Sequence, residues 1–154
     1  MNVIFKKMNF KKQRSIVVLN APQSFQPNMV EMTDLTDVIT SINDVESTEF
    51  ILVFVTQQAE IDSQAPIFAK KIKEDGAIWF AFPKGTSKKY KCDFNRDTGW
   101  EILGKLGFEP VRLVAIDEDW SALRFRHVDY IKTMTRSFAM TEKGKEKVEK
   151  NTDL

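Results

Sequence analysis

Three uninterrupted apolar runs, Ser15 to Leu19, Phe50 to Val55 and Ala77 to Phe82, constrain this chain more than any other feature. A strand with one solvated face shows a polar residue at every second position, whereas continuous runs suit strands covered on both faces. The three runs are predicted to form the middle of a sheet with helices on either side. Between the second and the third, Gln57 to Glu74 carries Ile61, Ala65, Phe68 and Ile72 at helical spacing, which gives one apolar face. Strand, helix and strand in that order predict a right-handed parallel crossover. Pro66 removes a backbone donor and predicts a kink or a split there, with a second piece starting near Gln64.

After the third run a polar loop from Pro83 to Arg96 leads to Thr98-Gly99-Trp100-Glu101, where Thr98 and Glu101 have the spacing of a capping box. Trp100, Leu103 and Leu106 share a face and Gly107 supplies a stop, so a second crossover helix is expected. Pro110 to Ile116 and Ala122 to Val128 read as a hairpin around Asp117-Glu118-Asp119-Trp120-Ser121. The expected fold is therefore α/β: a three-layer, Rossmann-like, mainly parallel sheet with a C-terminal antiparallel hairpin. Residues 23–49 are the least legible, with an edge strand over Val30 to Leu35 and a short helix or another strand starting at Val38.

A single domain over residues 15–140 is expected, preceded by a lead-in over residues 1–14 and followed by a polar tail over residues 141–154. The lead-in interleaves Lys6, Lys7, Lys11, Lys12 and Arg14 with Phe5, Met8 and Phe10. It reads as a segment that packs its apolar side chains on the domain and solvates its lysines, in preference to a nucleic-acid arm. A formal net charge of +1 provides no global field for nucleic acid or an anionic membrane, so electrostatic recognition has to be local. One cysteine, Cys92, cannot form an internal disulfide, and no apolar run approaches the roughly 18 residues of a membrane span. A cytoplasmic protein is expected.

In open α/β sheets ligands bind outside the carboxyl ends of the parallel strands. Asn20-Ala21-Pro22, Thr56-Gln57-Gln58, the loop from Pro83 to Lys91 and the acidic turn Asp117-Glu118-Asp119 are all expected on that edge. The loop offers Gly85 for close backbone approach, Thr86 and Ser87 as hydroxyls, and Lys84, Lys88, Lys89 and Lys91 as charge for a phosphate or carboxylate. It lacks the glycine spacing of a P-loop, and its lysines can equally pair with Asp117, Glu118 or Asp119. The ligand-binding candidates are Asn20, Lys84, Gly85, Thr86, Ser87, Lys88, Asp117, Asp119 and Trp120, the last as a hairpin anchor or a stacking surface. Arg124 and Arg126 share a strand face and are expected to pair with carboxylates of a covering helix or to reach solvent.

Other chemistry finds little support. His127 is the only histidine, which excludes a His-rich metal site, and no metal, cofactor or catalytic residue is expected. The strand order resembles the methyltransferase sheet, yet Asn20-Ala21-Pro22-Gln23-Ser24-Phe25 follows the first strand without a glycine, which argues against ordinary methyl or hydride transfer. Val17-Val18-Leu19-Asn20-Ala21-Pro22, Phe54-Val55-Thr56, Trp79 to Gly85 and Asp117 to Arg126 together resemble a family of short bacterial domains of unknown function of the 3052 type. That resemblance implies a bacterial cytoplasmic protein of Rossmann-like fold and brings no activity or site residue. The leading functional expectation is a non-catalytic domain that binds a small anionic ligand at the C-terminal edge of the sheet, with no nucleic acid and no membrane. A protein-interaction scaffold, an enzyme of unknown reaction type, and a homodimer or protein partner stand as alternatives.

Overall fold

In the computed structural model, which describes residues 2–131, the three apolar runs lie side by side. β1 (Ser15–Leu19), β3 (Thr48–Phe54) and β4 (Ile72–Pro83) pair in parallel, and β2 (Asp37–Ile39) adds a short parallel edge to β1. β5 (Phe108–Ala115) and β6 (Trp120–His127) form the antiparallel hairpin. The hairpin does not simply extend the sheet. β6 inserts between β4 and β5, antiparallel to both, so the order is β2-β1-β3-β4-β6-β5.

Both faces of the central strands are covered, which explains the unbroken apolar runs. One face carries Ile16, Val18, Phe50, Leu52, Phe54, Trp79 and Trp120, packed under α1 (Val3–Lys7) and α2 (Gln26–Met32). The lead-in belongs to this layer, because Phe5, Met8 and Phe10 are all buried there. The other face carries Val17, Ile51, Val53, Ile78, Phe80 and Phe125 against α3 (Gln58–Lys71) and α4 (Glu101–Lys105). Ile61, Ala65 and Phe68 of α3 are buried, as their spacing requires. Phe80, Phe82, Phe94, Trp100 and Phe125 form a continuous aromatic cluster, with ring centroids 5.2–5.8 Å apart where they touch. Offset and edge-on pairs of this kind add about 0.5–1.5 kcal/mol each beyond their buried area.

Four local expectations give way. Val30 lies in α2, and the edge strand is Asp37–Ile39, because the helix keeps Met29 and Met32 on its buried side and the strand starts only after it. Pro66 does not split α3. The carbonyl it leaves unpaired belongs to exposed Asp62, where water can take the bond. Thr98 does not cap α4, whose N-cap is Trp100. Gly99, at φ +95°, turns the chain between them, and the Thr98 amide donates instead to the Asn95 side chain at 3.0 Å. Arg126 pairs with no helix: its guanidinium grips Asp75, on an irregular stretch of β4, at 2.6 and 2.7 Å.

Among the described residues no helix is long and apolar enough to cross a membrane, and no group of three His, Cys, Asp or Glu is placed to hold a metal. The tail assigned to residues 141–154 lies outside the described residues.

Candidate functional site

Connections in this sheet run outward in both directions from β1 and β3, so the topological switch point lies between their carboxyl ends. β1 ends in Asn20, whose φ of +57° is left-handed, a conformation in which asparagine is the commonest residue after glycine. The glycine expected of a cofactor-binding turn is absent after β1, and Asn20 takes the left-handed conformation in its place. Ala21 and Pro22 then lead into a short 3-10 turn, Gln23–Phe25, and Phe25 packs on Phe54 with ring centroids 5.0 Å apart.

Across the switch point, the first turn of α3 is closed by the chain's own carboxylates. Glu60 accepts from the amides of Thr56 and Gln57 at 3.0 and 3.1 Å, and Asp93 accepts from that of Gln58 at 2.7 Å. The Asp93 amide returns to the Thr56 carbonyl at 3.3 Å. Three of the donors at this helix N-terminus are thus met by negative charge, which opposes a phosphate there. α2, the helix after β1, has Pro27 in its first turn, which removes one of the amides that a phosphate would use.

Along the same edge, the chain after β4 is built differently. The Lys84 amide donates to the Asp119 carbonyl at 2.8 Å, and the Ser87 hydroxyl donates to the Asp119 carboxylate at 2.9 Å. Asp117 accepts from the amides of Asp119 and Trp120 at 2.8 and 2.9 Å, which shapes the acidic turn. The loop then straddles the end of the sheet. Tyr90 packs on Trp120 on one face at 4.9 Å, while Phe94 packs on Phe82 and Trp100 on the other. Under it lies a cavity of about 580 Å³ with Phe82, Phe94 and Leu113 as apolar lining, Thr86, Asn95 and Ser121 as polar groups, and Lys84, Lys91 and Arg96 as cations.

Of the sequence candidates, Lys84, Gly85, Thr86 and Ser87 line this cavity, whereas Asn20, Lys88, Asp117, Asp119 and Trp120 do not. Trp120 is buried, edge-on to Phe54, and acts as an anchor of the hairpin; it presents no face for a ligand to stack on. The basic loop and the acidic turn do meet, but not as ion pairs. Among the described residues Lys84, Lys88, Lys89 and Lys91 pair with no carboxylate, because Ser87 and the backbone occupy Asp119. Cys92, Asn95, Arg96, Leu113 and Ser121 line the cavity and carried no signal in the sequence, since they belong to three separate segments.

At the opposite edge a second, polar cavity of about 430 Å³ lies between Asn9 and residues 73–77 of β4, with Arg124 on its wall. Burial pushes the Arg124 guanidinium down from its ordinary value, against the pull of Asp75 and with help from Arg126 and Arg112, and its Nε has no partner. The hydrogen bonds to Asp75 push Arg126 up.

No family model matches the chain, and no curated protein is similar to it in sequence. Solved structures are similar in fold. The pyocyanin biosynthetic protein PhzM superposes with a TM-score of 0.55 at 9% identity, over 80% of this chain and 53% of its own. A ribosomal protein L11 methylase from Lactobacillus delbrueckii subsp. bulgaricus gives 0.51 at 10% identity, over 81% of this chain and 75% of its own. A Haemonchus contortus phosphoethanolamine N-methyltransferase in complex with S-adenosylhomocysteine gives 0.48 at 9%, over 82% and 38%. The fold is Rossmann-like and is shared with methylases. That finding corrects two expectations. The expectation of a non-catalytic anion-binding domain is overturned by a sheet shared with a methylase and a biosynthetic protein, which fit the enzyme alternative better. The expected partners, a small anion and no nucleic acid, are overturned likewise, since a methylase named for a ribosomal protein shares this fold.

Proposed function

We propose that this chain is an enzyme of the methyl-transfer class, using a phosphate-free, nucleoside-derived methyl donor at the C-terminal edge of its sheet. The observation that supports it is the sheet itself, with β6 reversed and inserted between β4 and β5, in a fold shared with methylases.

The switch point distinguishes between classes of donor. A pyrophosphate-bearing cofactor meets Glu60 and Asp93 where it needs free amides, and finds no glycine-rich turn. A sulfonium donor has no phosphate to place and is positively charged, so two carboxylates nearby are no obstacle. The left-handed Asn20 turns the chain sharply out of β1, beside the switch point where a nucleoside would lie. When bound, the donor would supply an electrophilic methyl group. The chain's own share is to hold the acceptor in the cavity under the loop after β4. A cytoplasmic location, with Cys92 as a free thiol, and membership of the bacterial family named above are part of the same reading.

Thermal shift with S-adenosylmethionine, S-adenosylhomocysteine, NAD and ATP tests it. Ligand at about 100 times its dissociation constant adds roughly 2.7 kcal/mol of stability. The two adenosyl sulfur compounds are expected to raise the melting temperature and the two phosphate compounds to leave it unchanged. No response to either sulfur compound at millimolar concentration, or an equal response to NAD, would overturn the proposal.

A further inference from the structure

We infer that the acceptor held at this site is a single-stranded nucleic acid, gripped through its phosphates by the loop after β4 with one base lowered into the cavity beneath it. The inference rests on the methyl-transfer reading above and names its substrate class. Three observations carry it.

The loop after β4 is one of two strongly basic stretches of the chain, the other being Lys6 to Arg14, and of the two it is the one that lies over a cavity with an apolar lining. Residues 84–96 hold four lysines and Arg96 against the single acid Asp93, in a chain whose formal net charge is +1. Asp93 is already committed to the Gln58 amide.

The lysines are also unspent. Arg96 has Asp97 at 3.8 Å, but Lys84, Lys88, Lys89 and Lys91 have no carboxylate partner among the described residues, although an acidic turn lies beside them. Ser87 takes that turn's carboxylate and so holds the loop in place without neutralising it. Lys88 and Lys89 are exposed, and such an array is suited to a chain of regularly spaced negative charges.

The third observation concerns shape. Lys84 and Lys91 open onto a cavity with an aromatic and aliphatic lining and with Thr86, Asn95 and Ser121 as hydrogen-bonding groups, and its volume of about 580 Å³ admits a base with its ribose. Enzymes that modify a base take it out of the stack into an apolar pocket and read its edge with a few polar groups. An acidic polypeptide has the charge but no nucleobase for that space, and a single strand offers its base without the unpairing cost that a duplex imposes.

Fluorescence anisotropy with a labelled 12-nucleotide single-stranded RNA, its DNA counterpart, the matching duplex and polyglutamate tests the inference on the full chain. Single strands are expected to bind tightest, and RNA against DNA decides which is the natural form. Replacing Lys84, Lys88, Lys89 and Lys91 by alanine should weaken binding at least 30-fold and flatten the slope of log affinity against log salt by about 2 to 3, at roughly 0.7 per phosphate contact. Leu113→Trp, at the exposed lip of the cavity, should abolish the fluorescence change of a central 2-aminopurine while weakening binding less than the four lysine changes do. Equal binding of polyglutamate or duplex, or an unaltered salt slope in the lysine variant, would overturn it. If the methyl donor binds and no nucleic acid does, only the substrate class falls; if neither binds, the reading of the site falls with it.

Discussion

The two ends of the same sheet edge solve the problem of charge in opposite ways. At the carboxyl ends of β1 and β3 the amides of Thr56, Gln57 and Gln58 are met by Glu60 and Asp93, and Phe25 packs on Phe54. After β4, one carboxylate fixes the loop through Ser87 while four lysines stay unpaired above a cavity. The first arrangement yields a rigid seat with its electrostatics settled. The second leaves electrostatic free energy available for a partner. Substitutions at the first end should therefore read out in stability, and those at the second in binding.

Phe25→Ala is the strongest test of the rigid end. Its ring is 2% exposed and touches Phe5 and Phe54, so truncation should cost about 3–5 kcal/mol in chemical denaturation. Gly99→Ala comes next. It places a Cβ on a backbone with φ +95° and 2.8 Å from the Phe94 Cβ, and should cost about 1–3 kcal/mol while displacing the cavity lining that Phe94 provides. Glu60→Ala uncovers two amides and should lower stability by about 1–2 kcal/mol, with donor affinity reduced only through the altered seat. For Asp119→Ala, loss of the Ser87 bond should cost about 1 kcal/mol and increase loop mobility in amide exchange. Smallest of all is the four-lysine variant, whose melting should match the parent within about 0.5 kcal/mol despite its large effect on binding. A destabilised lysine variant would mean that the loop is structural, and would erase the contrast between the two ends.

Much of this was legible in the residues because the relevant signals are local. The runs at Val17, Leu52 and Phe80 declare buried strands, the spacing of Ile61, Ala65 and Phe68 declares a helix, and the stop at Gly107 is a positive φ of +90° beside His127. What escaped was set by distant partners. The insertion of β6 beside β4 depends on pairings such as Phe80 with Leu123, which no window of sequence contains. Residues 23–49 make short elements in which Met29 and Met32 bury one side of a two-turn helix, too few for a period to emerge. The absence of glycine after β1 argues against ordinary methyl transfer, but the sequence does not show that Asn20 itself adopts the left-handed conformation there. The pairing of lysines with the acidic turn failed for a similar reason, since nothing in the sequence says that Ser87 reaches Asp119 first.

The most direct test of the central claim is an amide chemical-shift map of the protein titrated with S-adenosylhomocysteine. The expected result is a contiguous set of perturbations at Asn20, Ala21 and Thr56, extending into Lys84 to Lys91. Perturbations confined to the opposite edge, around Asn9 and Lys73 to Gly76, or none at saturating ligand, would contradict the account.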